Sequence, residues 1–299
     1  MGGGGSQAKD HPYEYLAASA ISAAINYPLW RSAAIGQSGY KVSLHVSSSS
    51  SSTLLSTIPI PRGLTPYVYA FAPPYKGALA TIGGMTWARA AIFWGADRGK
   101  DVLQQSFPQS HPSIITLSPP LIVSIFVQII NQPIVRATIT IQNPESPLPN
   151  IRSALRHIYT QHGLQGLWHG TSAGILKTVP KYCTAILVKD YMECTLPQVD
   201  RNSPTYKTDQ LWRSALKSAI AGIAGAALTN PLDVIRNEMF KTNKPLLETV
   251  KLLYQELKWR FLLRGMGTNL VAVSIPLAST IFFTDALIQL TTTKMTISS

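Results

Sequence analysis

Apolar residues along this chain gather in six segments, at about 13–37, 76–100, 117–142, 171–194, 211–240 and 268–291, each nearly free of acid and base. At 1.5 Å of rise per helical residue, each is long enough to cross a hydrocarbon layer of about 30 Å. None contains about eighteen uninterrupted apolar residues, the length at which composition alone marks a membrane span. The interruptions are mostly Ser, Thr, Gly, Pro, Asn and Gln, which spanning helices tolerate where they face a bundle interior or a wet cavity. The pattern predicts six half-lipid-facing helices. Two connectors, 150–162 and 245–258, space their apolar residues three and four apart and predict short amphipathic helices, each after an odd-numbered segment. The corresponding connector at about 53–72 holds Pro59, Pro61 and Pro66 and is poorly periodic, which argues against a matching helix. Small residues Ala17, Ala18, Ala20, Ala23 and Ala24, and later Gly222 and Gly225, predict close helix packing.

Composition supports a lipid-facing surface. Charged residues make up 13% of the chain, too few to solvate an ordinary globular surface of 299 residues, and mean hydropathy is +0.11. The net charge of +12 is scattered rather than clustered, which fits anionic lipid better than nucleic acid. Cys183 and Cys194 match neither a metal pair nor a disulfide framework, and the six histidines form no ligand-spaced cluster. No phosphate-binding glycine loop or nucleophile motif occurs, so no enzyme, metal site or cofactor is expected. The start Met1-Gly2-Gly3-Gly4-Gly5-Ser6 fits a loose N-myristoylation pattern at Gly2, though a flexible leader is the simpler expectation. No cleavable presequence is evident, which leaves targeting information inside the chain.

Sliding the chain against itself shows a repeat near a hundred residues. Pro28, Pro133 and Pro231 each fall late in an odd-numbered segment, 105 and 98 apart. Tyr75-Lys76-Gly77, Trp168-His169-Gly170 and Leu263-Arg264-Gly265 each open an even-numbered segment, and an aspartate stands twenty residues after each glycine, at Asp97, Asp190 and Asp285. Each unit thus reads as a kinked helix, a connector with a short helix, and a second helix. The expected organisation is a leader at 1–10, a first unit at 11–105 with a serine-rich insertion at 47–53, a second at 110–197 and a third at 207–295.

Pro231, Asp233 and Arg236 complete the pattern Px[DE]xx[KR], and His162-Gly163 through Trp168-His169-Gly170, followed by Lys177 and Pro180, complete a downstream signature. In these motifs the chain resembles the mitochondrial carrier family over nearly its whole length. The resemblance implies an all-α membrane protein of six transmembrane helices in three pseudo-threefold repeats, with short matrix-side amphipathic helices. It implies alternating access, with one ring of ion pairs closing a central cavity towards the matrix and another towards the cytosol. Asp233 and Arg236 are the surviving matrix pair, because the matching positions are Trp30 and Ala33 in the first unit and Val135 and Thr138 in the second. Asp97 and Lys100 are the surviving cytosolic pair; Asp190 and Asp285 bring further acids to that ring, and three acids with one matching base would repel. Arg31 and Arg136 stand off the gate register and are expected to snorkel to lipid headgroups.

Substrate contact in the resembling family lies seven residues after each even-helix glycine, here Gly84, Lys177 and Ala272, with Arg89 a further cavity candidate. A midplane lysine needs an anionic ligand, a carboxylate partner or a wet cavity. Cardiolipin, as structural lipid, is implied at Lys76-Gly77, His169-Gly170 and Arg264-Gly265, where helix starts offer backbone N–H groups. The expected function is transport of a small anionic or weakly charged metabolite across the inner mitochondrial membrane. The alternative is a transport-inactive subunit or adaptor of a respiratory or other mitochondrial complex, with the outer membrane also open. No nucleic-acid partner is expected.

Overall fold

The computed structural model describes residues 11–40, 65–71, 75–109, 111–198 and 206–297, so the expected leader and the serine-rich insertion lie outside the described residues. Eleven α-helices and one short 3₁₀ segment are described, with no strand among the described residues: α1 Pro12–Ile25, α2 Tyr27–Ser38, α3 Thr65–Phe71, α4 Ala78–Ser106, α5 Pro112–Ile141, α6 Ile151–Leu167, α7 Thr171–Leu176, α8 Thr178–Thr195, α9 Tyr206–Thr242, α10 Leu246–Leu257, the 3₁₀ segment Lys258–Leu263, and α11 Met266–Ile297. The six apolar segments become α1 with α2, α4, α5, α7 with α8, α9 and α11. Contrary to the sequence expectation, the first connector also carries a short helix, α3, beginning one residue before Pro66, a position where proline's missing N–H costs a helix nothing.

The six long elements form a closed ring. The first, α1 and α2, packs on α4; α4 packs on α5, α5 on α7 and α8, these on α9, α9 on α11, and α11 returns to α1 and α2. Close approach is made by small residues. A side-chain carbon on Gly95 would lie 2.9 Å from Val123, and one on Gly99 2.7 Å from Pro119, which fixes how tightly α4 can meet α5.

Two stretches are long and apolar enough to span a membrane on hydropathy alone, Ile114–Ile141 within α5 and Leu246–Ile288, which takes in most of α11. The other segments dilute their apolar faces with residues that the ring buries: Ser19, Ser22, Asn26, Arg31 and Ser32 in the first helix are all buried. Some of these stitch helices together, as where the Ser22 hydroxyl donates to the carbonyl of Pro276 at 2.8 Å.

The short helices α6 and α10 seat their apolar faces on the odd helices before them. Ala154 and Ile158 of α6 pack with Ala137 and Ile141 of α5. Leu253 of α10 packs with Val234, Ile235 and Met239 of α9, together with Ala173 and Phe261. The start of α6 is fixed by a reciprocal cap: the Asn150 side chain accepts from the Ser153 N–H, and the Asn150 N–H donates to the Ser153 hydroxyl.

Candidate functional site: a charged cluster between two helices and three seams around it

A threefold contact organises the end of the bundle that carries α3, α6 and α10. The residue before each repeat proline donates to the carbonyl before each repeat glycine. The Tyr27 hydroxyl donates to Lys76 O at 2.5 Å, the Gln132 amide to His169 O at 2.8 Å, and the Asn230 amide to Arg264 O at 3.1 Å. Gly77, Gly170 and Gly265 all have positive φ, at 77°, 83° and 67°. At Gly265 the requirement is absolute, since a side-chain carbon there would lie 2.5 Å from the backbone nitrogen of Gln37.

Pro133 supplies a further link. Proline lacks the N–H that would bond the carbonyl four residues earlier, which leaves Ile129 O without its helical partner. The Trp168 indole donates to that carbonyl at 3.0 Å. The aromatic of the second glycine motif therefore repairs the break that the second repeat proline makes.

The basic residues before the glycines reach the end of the next odd helix or the connector just past it. Lys76 Nζ donates to Ser146 O at 3.4 Å, His169 Nε2 lies 2.8 Å from Lys244 O, and Arg264 Nε donates to Gln37 O at 2.7 Å. These side chains, expected at lipid, thus bond backbone carbonyls of the next unit, Arg264 at the C-terminal turn of α2 and Lys76 and His169 in the connectors just past α5 and α9. At the last seam Arg264 also meets Glu238 at 2.8 Å, and Lys241 bridges Glu238 at 3.1 Å and Ser38 O at 3.1 Å. Burial holds the His169 imidazole below its ordinary pKa, opposed by its bond to Lys244 O and aided by the smaller effects of the nearby Arg136 and His162.

Arg31 and Arg136 overturn the snorkelling expectation. They are 2% and 1% exposed. Arg31 donates to Gln142 Oε1 at 2.8 Å and to Ala70 O at 3.4 Å, with its guanidinium 4.7 Å from the centre of the Tyr69 ring. Arg136 donates to Gly166 O and to Asn243 Oδ1, the latter at 2.9 Å. Each arginine ties an odd helix to its own short helix or connector and to the next unit. The reason is geometric: three residues past the proline, the side chain turns into the wall between units, not outward.

The charged cluster lies where α7 and α8 meet α9. Lys177, the cap residue joining α7 to α8, places Nζ 2.7 Å from Asp233 Oδ1, and Arg236 Nη2 lies 3.0 Å from the same oxygen. Asp233 and Arg236, expected to join a ring around the axis, therefore pair along one helix at i and i+3, and the carboxylate reaches across to Lys177. The carboxylate-partner option for a midplane lysine is the one realised. Lys181, one turn on, lies within electrostatic reach of Asp233, Arg89 and Arg236, and packs 3.8 Å from where a side chain on Gly225 would begin. Sequence reasoning missed Lys181; its signal was the i, i+4 spacing that puts it on the Lys177 face. Arg89 donates to Ser19 O at 3.4 Å. Gly84 faces open space, and Ala272 is half-buried on α11.

At the opposite end, Asp97 and Lys100 are half-buried on α4, Asp97 engaged within the protein, while the side chains of Asp190 and Asp285 lie outside the described residues. Glu193, standing where the expected ring would place a base, meets Arg213 at 2.9 Å and Lys217 of α9 more closely. A carboxylate at that position is thus neutralised sideways, by the neighbouring helix, rather than across the axis.

A model of the family described as mitochondrial carrier protein matches residues 115–199 and 207–295, more than half of the chain. A putative mitochondrial carrier protein PET8 of Eremothecium gossypii is 26% identical over 43% of this chain and 47% of its own length. The mitochondrial RNA-splicing protein MRS3 of Saccharomyces cerevisiae is 30% identical over 44% of this chain and 40% of its own. The mitochondrial glutamate carrier 1 of Rattus norvegicus is 28% identical over 33% of this chain and 29% of its own. The chain spans less than half the length of each of these curated relatives. With the ring of six long helices and its three glycine seams, the match shows that the chain belongs to the mitochondrial carrier family. It is a carrier-fold protein of a mitochondrial membrane.

Proposed function

We propose that the protein carries a small carboxylate-bearing metabolite across the inner mitochondrial membrane by alternating access, with Lys177, Lys181, Arg89 and Arg236 receiving the anion. The observation that carries this reading is the Lys177–Asp233–Arg236 cluster at the expected contact height, with Lys181 in electrostatic reach of Asp233 and Arg89 in reach of Lys181: three cations around one carboxylate and a fourth beside them. Such an excess of positive charge in a low-dielectric wall attracts an anion and rejects a cation. One partly matching relative is named a glutamate carrier, a protein whose cargo bears carboxylates. An adenine nucleotide would call for more cations converging on phosphates than this cluster offers.

The test is uptake of labelled glutamate, succinate and lactate into liposomes holding the purified protein. Saturable uptake of at least one of them is expected, reduced by tenfold or more in Lys177→Ala, roughly the loss of one charge-assisted contact. Equal uptake by wild type and variant would sink the assignment.

A second reading, a transport-inactive subunit of a larger mitochondrial complex, draws on Arg31 and Arg136, which tie units together through the side-chain amides of Gln142 and Asn243 at the end where the family resemblance implies ion pairs. No saturable uptake, together with stable recovery in a large assembly, would favour it. Cardiolipin at the three glycine motifs belongs to both readings. The backbone at the helix starts would contact it, since the Lys76, His169 and Arg264 side chains are engaged elsewhere.

A further inference from the structure

The inner end of the bundle, which carries α3, α6 and α10, is packed shut, yet not by the ring that the family resemblance implies. Ala33, Thr138 and Arg236, the positions where that ring would set its bases, are all buried, and two of them carry no charge. Tyr40, two residues past the end of α2, reaches both other units there. Its hydroxyl donates to Ile139 O in the last turn of α5 at 3.2 Å, and Lys241 Nζ of α9 lies 5.8 Å from the centre of its ring. Backbone geometry sets the ring in place. Gly39 has a φ of 62°, which turns the chain out of α2, and a side-chain carbon there would lie 3.2 Å from Arg264 Nη1.

The two contacts are backed unequally. Lys241 is held by Glu238 and by Ser38 O, each at 3.1 Å; Arg264 meets the same Glu238 at 2.8 Å and Gln37 O at 2.7 Å. Tyr40 therefore sits on a joint between third and first units that charge-assisted bonds fasten several times over. Towards the second unit it makes one neutral hydrogen bond. Burial pushes the phenol up to about 12, so it stays a donor at neutral pH. Resting on the alternating-access reading above, we infer that Tyr40 is the bolt of the inner gate. Carried on the joined third and first units, it is thrown into the last turn of α5 when this end is closed and withdrawn from Ile139 O when it opens. Withdrawal parts no charges, so it leaves no bare ion in the wall, and water can satisfy both the phenol and the carbonyl. An ion-pair ring needs new partners for its charges before it can part; this bolt does not.

The measurement is the rate at which a membrane-impermeant maleimide labels a reporter cysteine in the purified full chain, with Cys183→Ser and Cys194→Ser removing the exposed native thiols. One reporter, Thr138→Cys, replaces a residue 2% exposed at the inner end; the other, Thr284→Cys, replaces a fully buried one in the outer half of α11. Tyr40→Phe keeps the ring beside Lys241 and loses only the hydroxyl. It should speed labelling at Thr138→Cys by roughly three- to tenfold, the population shift from one neutral hydrogen bond, and leave Thr284→Cys no faster. Tyr75→Phe, which removes a phenol bonded to Phe71 O within its own unit, should speed neither. Equal rates at Thr138→Cys with and without Tyr40→Phe overturn the bolt, and uptake of labelled succinate by the same preparations decides the transport reading separately. A matching rise at both reporters marks general loosening and also overturns the bolt. No labelling of Thr138→Cys in any variant, with no uptake, overturns both. Should Tyr40→Phe not fold, Lys241→Met takes the cation from the ring, is expected to speed labelling at Thr138→Cys alone, and is read against the same outcomes.

Discussion

Arg136 is the residue on which most of the second unit's inner end depends. Its guanidinium spans Gly166 O of α6 and Asn243 just past α9, and it is almost fully buried. Replacing it with glutamine shortens the reach and leaves both acceptors without this donor, a loss of about 2 kcal/mol for buried groups. For a chain of this size that corresponds to a fall of roughly 4–8 °C in the unfolding midpoint, read by intrinsic tryptophan fluorescence. A midpoint within about 1 °C of wild type would mean that the guanidinium is solvated after all. Arg31 and Arg136 also show where residue-level reading fails. A basic side chain in an apolar segment reads as a headgroup anchor, and only the position of the next unit reveals an acceptor inside the wall. Lys177 was legible as a charge needing a partner; that its partner is Asp233 required the register of α7 and α8 against α9.

Among the elements, α10 offers the cleanest test of packing. Leu253 is fully buried in a cluster that joins α9, α7 and the 3₁₀ segment. Truncating Leu253→Ala should cost about 2–5 kcal/mol, while Leu247→Ala on the exposed face of the same helix should cost well under 1 kcal/mol. Comparing the two unfolding midpoints checks that the short helix is seated on the bundle, since similar shifts would place its apolar face elsewhere. All six long elements and both amphipathic connectors could be read from the sequence because their apolar residues recur with few charges among them. The short helix α3 could not. Its seven residues are too few to show a helical period, and its prolines read as breaks although one of them starts the helix. Hydropathy alone finds two spans because the other segments carry serines, amides and cations that face neighbouring helices, and a window average cannot see which way a side chain points.

Across the whole molecule, the three seams repeat in geometry and differ in chemistry. A lysine closes the first, a histidine the second and an arginine, with Glu238 and Lys241, the third. The second is the titratable one near neutral pH. Because His169 binds its proton less readily in the folded protein than in the unfolded chain, falling pH protonates the unfolded state first, and stability declines as pH drops below the ordinary histidine value. Part of the acid sensitivity between pH 7.5 and 5.5 should therefore vanish in His169→Gln; an identical pH slope in that variant would assign the effect to other groups. The repeat that exposed this architecture in the sequence came from glycines and prolines, which backbone geometry fixes, while the residues closing each seam are free to vary around them. A wheel whose three joints are made of different materials does not widen evenly like an iris. The joint between third and first units, where two cations gathered on the buried Glu238 reach the carbonyls of Gln37 and Ser38, is the one expected to serve as the pivot.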